Sequence, residues 1–151
     1  MGVRLFALIS GVVYVLVGIL GFIPGFVTVP AVAPDLAVDA GYGYLLGIFP
    51  INLLHNLVHL AVGIWGLLAY RSYTASRGYS KGLAIFYGVL AVMGLFPILR
   101  TTFGLIPIFG NDVWLHALTA LIAAYFGFIV KPERVTVRER ERTTVGSRDR
   151  Y

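Results

Sequence analysis

Between Leu5 and Tyr70 the only charged residues are Asp35 and Asp39, and between Gly82 and Val130 they are only Arg100 and Asp112. A chain with 58% hydrophobic and 13% charged residues and a mean hydropathy of +0.84 has too little polar side chain to coat a water-facing surface. Such a chain reads as an integral membrane protein. Crossing the hydrocarbon core takes about 20 apolar residues per helix. The uncharged stretches supply four, at 5–23, 51–70, 82–99 and 111–130. The expected fold is all-α: a four-transmembrane-helix bundle over residues 1–130, followed by a charged tail over 131–151. The absence of cysteine excludes a disulfide, a thiolate metal site, an iron–sulfur cluster and a cysteine nucleophile.

Lys and Arg set the orientation, because positively charged connections stay on the cytoplasmic side. Arg4, then Arg71, Arg77 and Lys81, then the tail fall on one side; the acidic 24–50 segment and the 100–110 connection fall on the other. Both termini are therefore expected in the cytoplasm. Ala31-Val32-Ala33 resembles a signal-peptidase site, but the apolar run before it is too long for a signal peptide and Pro34 disfavours cleavage. Gly2 lacks the Ser or Thr that myristoylation needs. The tail holds seven basic and four acidic residues and few apolar ones. It cannot build a core, and it is expected to be solvated and disordered, drawn to anionic lipid headgroups.

Within the apolar segments one pattern occurs twice: Gly47-Ile48-Phe49-Pro50-Ile51 leading to His59, and Gly104-Leu105-Ile106-Pro107-Ile108 leading to His116. Both histidines fall nine residues after the proline, at an offset of 57 residues. Two tandem helical hairpins related by a pseudo-twofold axis along the membrane normal would place His59 and His116 face to face. Helical geometry at about 100° per residue gathers the polar and small residues. Asn52, His55, Asn56, His59, Gly63, Gly66 and Tyr70 share one face of the second helix, and Asp112, His116, Thr119, Ala120, Ala123 and Gly127 one face of the fourth. Ser10, Tyr14, Gly18 and Gly21 do so in the first helix, and Tyr87, Ala91 and Gly94 in the third. These faces are expected to line the bundle interior.

Three readings of that interior stand. The first is a hydrogen-bonded packing cluster, with Asn52 and Asn111 capping helices and Asp112 orienting His116. The second is a ligand site: His55, His59 and His116 as nitrogen donors to a divalent metal with Asp112 as ligand or support, or His59 and His116 as axial ligands of a haem. The third is a proton-linked transporter, since intramembrane ionisable groups mark such pathways. No serine, lysine or carboxylate pair sits where hydrolysis or group transfer would need it, which speaks against an enzyme.

Arg4-Leu5-Phe6-Ala7, the block Phe49-Pro50-Ile51-Asn52-Leu53-Leu54-His55-Asn56-Leu57-Val58-His59-Leu60, Gly104-Leu105-Ile106-Pro107, and Gly110-Asn111-Asp112-Val113-Trp114-Leu115-His116 resemble an uncharacterised bacterial four-helix membrane family, domain of unknown function 4383. The resemblance covers residues 1–130. It implies four spans in a bacterial plasma membrane and supplies no activity. The expectation from sequence is a small inner-membrane protein, structural or accessory in role. Its partners would be the bilayer and either further copies of itself or other membrane proteins; nothing points to nucleic acid.

Overall fold

The computed structural model describes residues 2–131, so the tail expected at 131–151 lies outside the described residues except for Lys131. The fold is mostly helical, with four α-helices among the described residues: α1 (Gly2–Leu20), α2 (Leu53–Ala69), α3 (Tyr73–Gly94) and α4 (Asn111–Ala124), the last prolonged by a π-helical turn over Tyr125–Ile129. Two helical stretches, Gly2–Leu20 and Asn111–Ile129, are long and apolar enough to cross a membrane.

The helix limits differ most from expectation in α3. Hydropathy placed its start at 82, because Ser76, Arg77, Gly78, Ser80 and Lys81 dilute the apolar signal. The helix begins at Tyr73, where the Ser72 side chain accepts from the Ala75 amide at 3.1 Å and caps the first turn. It stops at Gly94, ahead of Pro97, which cannot continue a helix. Replacing Ser72 with alanine is expected to lower stability by about 1 kcal/mol, read as a fall in the thermal midpoint. Elsewhere α1 starts and ends three residues before the expected 5–23, and α2 starts at Leu53 because Ile51 belongs to a strand and Asn52 caps the helix.

α1 packs on α2 and α3 on α4. Glycine makes the first pairing close: a Cβ on Gly63 would lie 2.6 Å from the Val15 nitrogen, and one on Gly11 would lie 2.8 Å from the Leu67 nitrogen. The α1 start, α2 end, α3 start and α4 end meet at one end of the bundle. There Arg4 Nε donates to the Tyr70 carbonyl at 2.8 Å, Tyr73 donates to the Val130 carbonyl at 3.1 Å and Arg77 Nε to the Gly127 carbonyl at 2.9 Å. Ala7, Ala69, Tyr79, Leu83, Tyr87 and Ala123 form the buried core.

The opposite end carries a small antiparallel sheet of β1 (Val27–Thr28), β2 (Gly43–Leu45) and β3 (Phe49–Ile51), in that order, with Val27 opposite Leu45 and Tyr44 opposite Pro50. β3 is an edge strand and so tolerates Pro50, which has no amide proton to donate. Leu46 and Gly47 turn β2 into β3 with φ of 54° and 73°, the positive pair a type I′ turn requires. The segment between α3 and α4 winds through turns, with Thr102, Phe103 and Gly104 all at positive φ. The Ala37 amide donates to the Gly104 carbonyl at 2.9 Å, which stitches the two connecting segments into one cap.

Candidate metal centre

Asn52 is where the cap meets the helices. Fully buried, it caps α2 by accepting from the His55 amide at 2.9 Å, while its Nδ2 donates to the Val38 carbonyl at 2.8 Å and the Leu105 carbonyl at 2.7 Å. One carboxamide thus holds both connecting segments and the start of α2. This fixes the azimuth of α2, whose buried face is His55, Asn56, His59, Gly63, Gly66 and Ala69. α4 buries Asp112, Val113, His116 and Ala123.

Asn111 does not cap α4. Gly110, at φ 65°, occupies that position, so Asn111 is the first helical residue; it is exposed, and its Nδ2 donates to the Ile48 carbonyl at 3.4 Å. Asp112 does not orient His116 by a hydrogen bond either: its Oδ2 lies 3.9 Å from His55 Nδ1. His55 Nδ1 also lies 3.1 Å from the Pro50 carbonyl. A carbonyl only accepts, so we assign the proton to Nδ1, which leaves the Nε2 lone pair free to ligate.

His55, Asp112 and His116, all buried, each offer one ligand atom within 4.8 Å of the others. His59 stands beside the trio, its ring 4.4 Å from that of His55, with Tyr14 stacked 5.6 Å away. The His55 and His116 rings are 6.3 Å apart, and Tyr87 packs 5.0 Å from His116. The offset of 57 residues that aligns His59 with His116 also aligns His55 with Asp112. The centre is therefore built from two equivalent helix starts, with a carboxylate in one where the other has an imidazole.

Buried polar atoms are almost always paired. Here Asp112 Oδ2, His59 Nδ1, His116 Nδ1 and, one turn away, Asn56 Oδ1 have no hydrogen-bond partner among the described residues. Two nitrogens and a carboxylate oxygen form a donor set for a divalent first-row ion such as zinc, iron or cobalt, with coordination positions left open. Of the residues around the trio, helical patterning places Tyr14, Tyr87 and Thr119 on inward faces, and Phe49 belongs to the repeated pattern; Leu46 and Leu115, which line the cavity beside them, carry no signal of their own.

No curated protein and no solved structure matches the chain. The family described as Domain of unknown function (DUF4383) matches residues 4–129, and the chain belongs to that family.

Proposed function

We propose that the chain is a bacterial inner-membrane protein of four spans, with both termini cytoplasmic, that binds one divalent metal ion through His55, Asp112 and His116. Inside-out amphipathicity supports the membrane reading. Leu5, Ile9, Leu16 and Ile19 of α1 and Trp114, Leu118 and Leu121 of α4 are exposed, while His55, Asn56 and His59 of α2 and Asp112 and His116 of α4 are buried. Apolar faces of that extent suit lipid, or neighbouring membrane proteins, better than water. The basic end of the bundle supports the orientation.

The single observation that carries the metal reading is the buried trio with its unpartnered atoms. A self-contained packing cluster would satisfy its own donors and acceptors. An ion with bonds of about 2.0–2.2 Å would need these donors to draw in by about 1 Å. A haem between His59 and His116 fits less well, because His55 packs beside both rings and crowds the space of a macrocycle.

Titration of the detergent-purified protein with zinc or cobalt tests the reading. The expected result is one equivalent bound per chain, with affinity reduced about 100-fold or more in His116→Ala and in Asp112→Ala, and less in His59→Ala. Acidification should release the ion, since histidine ligates only when neutral. No saturable binding, or equal affinity in all variants, would return the cluster to helix packing in an accessory subunit.

A further inference from the structure

The trio lies at a partition between two apolar chambers. One, of about 180 Å³, runs between α1 and α4 beneath the β2–β3 hairpin; its walls include Val13, Val17, Leu20, Leu45, Phe49 and Leu115 and its floor is His59, Tyr87, Asp112 and His116. The other, of about 260 Å³, lies on the α2–α3 side against Val58, Phe86, Leu90 and Ile106, and shares His59, Tyr87 and His116 with the first. Because α1 packs on α2 and α4 on α3, the first chamber opens at the boundary between the two hairpins. Its mouth is apolar: Val13, Leu46 and Leu115 are 49%, 56% and 44% exposed. Leu46 holds this rim at φ 54°, a backbone region that disfavours a branched side chain and would suit glycine or asparagine.

An apolar mouth on an outward apolar surface leads here to a polar floor with unpartnered atoms. Water-soluble ligands have no reason to take that route, whereas a molecule already dissolved in lipid meets no barrier of desolvation. The chamber is smaller than the roughly 300–1,000 Å³ that drug-sized ligands occupy, which suits one alkyl chain with a small head. A metal held by two nitrogens and one carboxylate keeps a position open for an oxygen donor. We propose that the crevice between α1 and α4 admits, from the bilayer, a single-chain apolar molecule ending in an oxygen donor, which completes the coordination of the metal. This rests on the metal reading above.

The test uses the full chain in lipid nanodiscs loaded with Co(II), whose ligand-field spectrum reports the coordination shell. Decanohydroxamic acid is the tailed probe and acetohydroxamic acid the tailless one. The expected result is a spectral shift, with the tailed probe half-saturating at a concentration at least about tenfold below the other. Val17→Trp, which obstructs the crevice away from the metal donors, should raise that concentration about tenfold while Co(II) affinity stays at the wild-type value. Leu115→Trp narrows the same mouth from α4 and takes its place if Val17→Trp does not fold. A wild-type spectrum unmoved by the tailed probe, cobalt stripped out of the protein, or a blocked variant that titrates like wild type overturns the crevice and leaves the metal centre standing. Failure of Co(II) to bind overturns both.

Discussion

Replacing Asn52 with leucine is expected to cost about 3–7 kcal/mol and to detach the cap from the helices. Three hydrogen bonds disappear at once. Loss of an N-cap is worth about 1 kcal/mol, and each of the two part-buried carbonyls left unpaired adds up to about 1–3 kcal/mol. Thermal unfolding in mild detergent measures the sum, and faster amide exchange at residues 37–42 and 101–106 locates it. Asn52→Asp separates the contributions: it keeps an oxygen for the His55 amide but has no N–H for Val38 and Leu105. A loss under about 1 kcal/mol in the leucine variant would mean that other groups take over both carbonyls.

Gly63→Leu should prevent the α1–α2 hairpin from closing, the largest effect expected of a substitution outside the polar cluster. Even alanine places its Cβ 2.6 Å from the Val15 nitrogen and 2.9 Å from the Gly11 carbonyl oxygen. Both obstacles are backbone, so the helices must part, at about 1–3 kcal/mol for alanine and more for leucine, whose extra atoms have no space. Gly78 in α3 is the control, since a Cβ there meets nothing within 4 Å. Gly78→Ala should stabilise the protein by about 0.5–1 kcal/mol through helix propensity. Opposite signs for the two alanine variants are the expected outcome, and a common sign would remove the case for close approach.

The four helices were legible because charge is confined to a few places and the apolar runs between them are long. The start of α3 was not, although Ser72 carries a capping signal, because its first turns are polar and face the end of α4. Strands of two or three residues leave no periodicity to read, and Pro50 argued against one. In the site, helical period alone puts His55, Asn56, His59, Asp112 and His116 on inward faces, and all are buried. The trio that meets depends on the rotation of α2 against α4. That rotation is set by Asn52 and by contacts between segments far apart in sequence, which no local pattern records. Asn111 is the instructive miss: it resembles a cap, but the positive φ of Gly110 ends the loop one residue earlier.

The layer of Ala7, Ala69, Tyr79, Leu83 and Ala123 closes the bundle between the polar cluster and the basic end. Seated in a bilayer as proposed, the molecule is a cup rather than a conduit. Whatever binds at His55 and His116 exchanges through the capped end or the side wall, never through the basic end, and over a full round of binding and release does no net work against the membrane voltage.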